Sequence, residues 1–202
     1  MSIRVSTDGA KLPRTVLIAG CGELGRRVGV LLAEAGQRVL GLRRTSGDLP
    51  AGIEPLGCDL ARGVPHLPPV DQAVFCAAPD DGSAAAYQAV YGAAFGNLLR
   101  ALGAQAQPPK RLVLVTSTRC YAQNDGGWVD EDSPVTERDA QTRALLDAEA
   151  NLRLSGLPGV VLRPAGLYGA GEGPLLRHLR HGDAICPAGP PRWTNRLHRQ
   201  DA

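Results

Sequence analysis

The chain has 202 residues, 44% hydrophobic and 21% charged, with a net charge of +2, the size and balance of one globular domain. That charge includes no basic block, so nucleic acid meets no electrostatic footprint, and the apolar stretches are too short to span a bilayer. Met1 to Arg14 lack the apolar core of a secretory signal, leaving a soluble, cytoplasmic protein as the expectation.

Residues 1–14 read as an N-terminal extension. Thr15 to Ala19 (TVLIA) is a short β-branched apolar run ending in glycines, the pattern of a buried parallel strand. Glu23 to Ala35 carries Leu24, Val28, Leu31 and Leu32 at helical spacing and is stopped by Gly36. Strands are predicted at Arg38 to Leu42, near Ile53 to Cys58, at Gln72 to Ala77, at Arg111 to Thr116 and at Gly159 to Arg163. Between them lie a helix from Ala84 to Leu102, closed by Gly103, and another from about Arg138 to Leu154. Strand and helix alternate and no Asn-Gly hairpin joins neighbouring strands, which predicts an α/β chain: a Rossmann-type doubly wound parallel sheet over 15–163. From Pro164 onward the pattern loosens into Gly/Pro-rich loops with one short helix near Pro174 to His181, so 164–202 reads as a short or truncated substrate-binding lobe.

The cysteines Cys21, Cys58, Cys76, Cys120 and Cys186 are odd in number and lack CxxC spacing, so they read as reduced and structural. His178 and His181 have a spacing that could hold a metal, but Arg177 and Arg180 beside them would repel a cation, and no metal site is predicted. The acidic run Asp130, Glu131, Asp132 reads as a loop cap. GxSxG and GxxxxGK[ST] are both absent, which removes the hydrolase elbow and the P-loop.

Gly20-Cys21-Gly22-Glu23-Leu24-Gly25 is a full GxGxxG, placed between a predicted strand and a predicted helix. In that context Gly20 permits a tight turn, Gly22 lets backbone approach a diphosphate, and Gly25 lets helix and strand pack closely. The free amides and positive dipole end of the helix then face the phosphates. The bland alternative is a strand-to-helix turn without a ligand. At the end of the second strand, where an NAD site carries an acidic residue for the ribose, the chain reads Arg43-Arg44. Two guanidiniums suit a 2′-phosphate in charge and geometry, which favours NADP over NAD; the alternative is two solvated arginines.

With these motifs the chain resembles the extended short-chain dehydrogenase/reductases, in an atypical branch of the NAD-dependent epimerase/dehydratase family. Cys58-Asp59-Leu60 matches the family's Asp-Leu step, which implies Asp59 and Leu60 near the adenine. Cys76-Ala77-Ala78-Pro79 matches its small-residue segment against the adenosine. Thr116-Ser117-Thr118-Arg119-Cys120-Tyr121 matches its serine-bearing strand and loop, and Trp128 to Pro134 its acidic loop. Arg163-Pro164-Ala165-Gly166-Leu167-Tyr168-Gly169 matches the Arg-Pro loop beside nicotinamide and substrate, and Trp193 to Ala202 a segment that returns to the sheet and begins another helix.

The family's chemistry rests on Ser, Tyr and Lys, the last two as YxxxK. Ser117 fits the serine, but the YxxxK slot falls near Gln141-Thr142-Arg143-Ala144-Leu145, which contains neither Tyr nor Lys, and Tyr91 stands where Asn is common. Neither Gln nor Thr supplies a titratable proton near neutral pH. Tyr121 is the nearest substitute, with Tyr168 behind it; Arg143 could support an anionic group or be solvated. The resemblance implies an NADP-dependent oxidoreductase or epimerase on a small polar or nucleotide-linked substrate, with room for a homodimer. The rival is an NADP(H)-binding sensor without turnover.

Overall fold

The computed structural model describes residues 13–45, 47–63, 66–169, 174–185, 189 and 193–202. Most of the N-terminal extension, and Cys186, lie outside the described residues. Strands β1 (Thr15–Ala19), β2 (Arg38–Arg43), β3 (Ile53–Gly57), β4 (Gln72–Phe75), β5 (Arg111–Val115) and β6 (Gly159–Leu162) form one sheet in the order β3-β2-β1-β4-β5-β6. Every pairing in it is parallel.

Central β1 explains the doubly wound arrangement. Its side chains alternate between the faces: Leu17 and Ala19 enter one apolar cluster, Val16 and Ile18 another. Helix α1 (Glu23–Glu34) covers the second face with Val28 and Leu32. It lies close because its fully buried positions are glycines; a Cβ on Gly29 would come within 2.6 Å of Ile53 Cδ1. The first face is covered by a continuous helical run, α2, and by α3 (Ala140–Leu154). Within α2, Ala84–Tyr87 and Phe95–Gly103 are α-helical and Gln88–Ala94 is a π-helical stretch. Phe75, on β4, packs at a tilt against Phe95 and edge-on against Tyr91, at centroid distances of 4.9 and 6.3 Å.

The predicted helix at Arg138 begins later, at Ala140, because Asp139 is its cap. Asp139 Oδ1 accepts the Thr142 amide at 2.8 Å, while Thr142 Oγ1 accepts the Asp139 amide at 3.1 Å. The Thr142 amide, aided by Arg119 at 2.6 Å, holds the Asp139 carboxyl down to about 2. We expect Asp139→Ala to cost about 1 kcal/mol at neutral pH, read by urea denaturation. The folded-state pKa is depressed, so this stabilisation is complete above the ordinary value of 3.8 and is lost as pH falls towards about 2. The gap between wild type and variant should shrink through that range; a gap that is undiminished below it would contradict the assignment.

Among the described residues after Pro164 there is more regular structure than the composition suggests. β7 (Gly166–Tyr168) and β8 (Arg196–His198) pair in parallel as a separate two-stranded sheet, with α4 (Pro174–His181) between them in sequence. The last residues therefore join β7, not the main sheet. Among the described residues no helix is long and apolar enough to cross a membrane.

Candidate functional site

β2 and β4 flank β1 on opposite sides, so the strand order reverses at the carboxyl end of β1, where open α/β sheets form a ligand crevice. The glycine turn occupies that point. Its first two amides, of Gly20 and Cys21, donate to the Leu42 carbonyl at 2.9 and 3.0 Å, fixing the turn to β2. Gly20 has φ +93°, and a Cβ there would sit 2.2 Å from the Ala77 amide nitrogen. The protein itself demands this glycine. Gly25 is also a packing requirement, since a Cβ would lie 2.8 Å from the Gly20 carbonyl oxygen and 2.9 Å from Ile18 Cγ2.

Gly22 is different. A Cβ added there meets only the Gly20 carbonyl oxygen, at 3.9 Å. It is the N-cap of α1, no side chain caps the helix, and the amides of Glu23, Leu24 and Gly25 find no acceptor among the described residues. Unpaired amides at the positive end of a helix, beside a backbone without a side chain, form a cradle for an anionic oxygen. The Glu23 carboxylate turns away to pair with Arg199, whose own amide donates to the Tyr168 carbonyl at 2.8 Å. The two-stranded sheet is thereby tied to the start of α1.

Arg43 and Arg44 are not equivalent. Arg44 forks onto the Asp80 carboxylate at 2.6 and 2.5 Å. Arg43, the last residue of β2, has no hydrogen-bond or ion-pair partner among the described residues. Asp59 caps a short 3₁₀ turn, accepting the Ala61 amide at 3.0 Å, while Leu60 beside it is buried in the core. Ala77 packs its backbone against Gly20, and Ala78 beyond it is exposed.

At the ends of β5 and β6 the site rests on a group that periodicity concealed. Glu149 lies in the apolar stripe of α3 among Leu145, Ala148 and Leu152 and is fully buried. Arg163 forks onto it at 3.0 and 2.6 Å, and the Thr116 hydroxyl donates to it at 2.9 Å. A charged residue inside a helix's apolar face was the available signal. Glu149 raises the Arg163 pKa through this hydrogen bonding, so the guanidinium stays charged. Arg163 also stacks over the Tyr121 ring at 5.0 Å, and Tyr121 is buried. Ser117 accepts the Arg119 amide at 3.1 Å, capping the turn Thr118–Cys120 and keeping its own proton free to donate. The Pro164 carbonyl accepts the Thr118 amide at 3.1 Å, which docks the two predicted loops together. Thr118 also reaches Asn195 at 3.2 Å.

In the YxxxK slot, Gln141 donates to the Gly82 carbonyl at 2.7 Å, Arg143 pairs with Glu137, Thr142 is consumed by the cap, and Leu145 is buried. Tyr91 is core, its hydroxyl pushed above the usual range by burial. Tyr168 is half-exposed against the His198 ring. His178 meets Asp183 at 3.1 Å, and among the described residues no set of three metal-ligating side chains converges. Cys21, Cys58, Cys76 and Cys120 are free thiols. Burial pushes Cys76 up to about 12 and Cys120 to about 11, so neither offers a thiolate. A cleft of about 630 Å³ lies between α2 and the start of α3, with Ala84, Ala85 and Gln88 on one wall; it presents none of the amide donors of the glycine turn.

No protein-family model matches the chain, and neither does any curated protein. Solved structures do. A protein from Methylobacillus flagellatus described as an NAD-dependent epimerase/dehydratase is 33% identical at a TM-score of 0.71, over 95% of this chain and 67% of that one. A conserved protein of unknown function from Silicibacter pomeroyi DSS is 28% identical at a TM-score of 0.68, over 93% and 64%. The Bordetella bronchiseptica enzyme WbmH, solved with NAD+, is 20% identical at 0.67, over 84% and 64%, a likeness of fold alone. The chain thus spans about two thirds of the length of these structures.

Proposed function

This chain belongs to the NAD-dependent epimerase/dehydratase family, and on that premise we propose that it binds a nicotinamide dinucleotide at the carboxyl edge of its sheet, NADP(H) in preference to NAD(H). The observation that carries this reading is the contrast within the glycine turn. Gly20 is required by the Ala77 backbone 2.2 Å from its would-be Cβ, whereas a Cβ on Gly22 would meet only the Gly20 carbonyl oxygen, at 3.9 Å. A ligand backbone explains the second glycine; so do the uncapped amides of Glu23, Leu24 and Gly25, which fit a diphosphate. That WbmH was solved with NAD+ supports the same ligand class.

The preference for NADP rests on Arg43, a guanidinium at the end of β2 with no partner among the described residues. A 2′-phosphate would take it as a charge-assisted partner. We expect Arg43→Glu to lower the NADP+ to NAD+ affinity ratio by about ten- to a hundredfold, the worth of one hydrogen bond to a charged group, read by calorimetry. A ratio that does not move would contradict the assignment.

The reaction class we propose is an oxidoreductase or epimerase step on a small polar or nucleotide-linked substrate. When bound, the nicotinamide supplies a hydride donor or acceptor. Ser117 donates its hydroxyl proton to a substrate oxygen, held in position by the Arg119 amide at 3.1 Å. Arg163, fixed by Glu149, keeps a permanent positive charge beside that loop. A second reading is favoured by a specific observation: Gln141 and buried Leu145 fill the Tyr and Lys positions, which leaves a sensor that binds NADP(H) without turnover. Single-turnover oxidation of bound NADPH against a panel of small carbonyl compounds separates the two. Hydride loss to any substrate supports the enzyme; tight binding with none across the panel supports the sensor.

A further inference from the structure

We propose that Asp80 is a specificity-determining residue, which sets the NADP/NAD preference by holding Arg44 in a fork that a 2′-phosphate must take over. The inference rests on the dinucleotide reading above and deepens it. Arg44 directly follows β2, and Asp80 lies in the loop after β4. Because β2 and β4 are the two neighbours of β1, their pair bridges the crevice at the end of β1 from one side to the other. The fork is bidentate, at 2.6 and 2.5 Å, so the terminal Nη1/Nη2 edge of Arg44, the one that would grip a phosphate end-on, is occupied by a carboxylate.

Arg43 and Arg44 together suggested a double clamp, but one guanidinium is open and the other is committed. The commitment is exchangeable. Both side chains of the pair are more than half exposed, at 62% and 63%, so solvent already weakens it and opening it costs little. The Arg44 guanidinium holds the Asp80 carboxyl below its usual range, so the competitor stays ionised throughout neutral pH. Two ligands therefore meet different sites. A dinucleotide with a free 2′-hydroxyl leaves the Arg44–Asp80 fork closed and meets Arg43 alone. One with a 2′-phosphate has Arg43 at once and gains the terminal edge of Arg44 only by displacing Asp80. Asp80 thus moderates the discrimination that the arginines alone would give.

The test is calorimetric titration of the whole chain with NADP+ and with NAD+, as wild type, Asp80→Asn, Arg44→Ala and the double variant. Freeing Arg44 in Asp80→Asn is expected to raise the NADP+ to NAD+ affinity ratio by about three- to fivefold. In the Arg44→Ala background the same substitution is expected to change it by less than about twofold, because its route is gone. An unchanged ratio in Asp80→Asn overturns the inference, as does an equal gain without Arg44. If wild type binds neither nucleotide, the dinucleotide reading itself fails, which is a separate result.

Discussion

Arg163→Met is expected to destabilise the protein by about 3–5 kcal/mol, the cost of stripping a buried charge of its partner. Glu149 is fully buried and accepts from Arg163 twice, at 3.0 and 2.6 Å, and from Thr116 at 2.9 Å. Without Arg163, the nearest remaining cation is Arg153 at 4.0 Å, whose own side chain is 65% exposed. The carboxylate would then sit in the core beside Leu145 and Leu152 with one hydroxyl to serve it. A further result follows from this cause. The double variant Glu149→Leu/Arg163→Met should be less damaged than Arg163→Met, since no buried charge is orphaned. Urea denaturation measures both. A double variant no more stable than Arg163→Met would contradict the role assigned to Glu149.

The two glycines at the turn should fail in opposite ways. Gly22→Val is expected to leave thermal unfolding close to wild type, since a Cβ at that position meets only the Gly20 carbonyl oxygen at 3.9 Å. Its dinucleotide affinity should fall by more than about a hundredfold, because the branched side chain fills the space where a diphosphate approaches the backbone. Gly20→Ala should do the reverse to the fold. A φ of +93° costs a non-glycine residue about 1–3 kcal/mol by conformation alone. The collision with Ala77 backbone at 2.2 Å adds to it. Differential scanning calorimetry and nucleotide titration on both variants separate a glycine kept for the ligand from one kept for the chain. Undiminished binding by folded Gly22→Val would contradict the cradle.

The sheet was legible where both faces of a strand are buried. After Thr15, the run VLIA shows no polar position because Leu17 and Ala19 enter one cluster and Val16 and Ile18 the other, so the strand could be read directly. Helix boundaries were harder. The cap of α3 is Asp139 with Thr142, and without Glu or Gln at the third position the familiar capping-box signature is missing. The π-helical stretch Gln88–Ala94 is hidden in a run of small residues that suits any helix. β7 and β8 have three residues each, too few for periodicity, and are held by pairing with one another.

The site divides along the same line. The glycine turn is local chemistry, and its spacing displays it. What Arg44 does depends on Asp80, and what Arg163 does depends on Glu149; both partners are distant in sequence and are brought near by the parallel crossovers. Tyr121 follows Ser117 closely in sequence, and its burial beneath Arg163 depends on a residue distant along the chain.

Calorimetric titration of folded wild-type protein with NADP+ and NAD+ bears most directly on whether the α1 amides and Gly22 receive a dinucleotide. Saturable heat for both, with the tighter constant for NADP+, is the predicted result. Well-folded protein that gives no heat with either would contradict it.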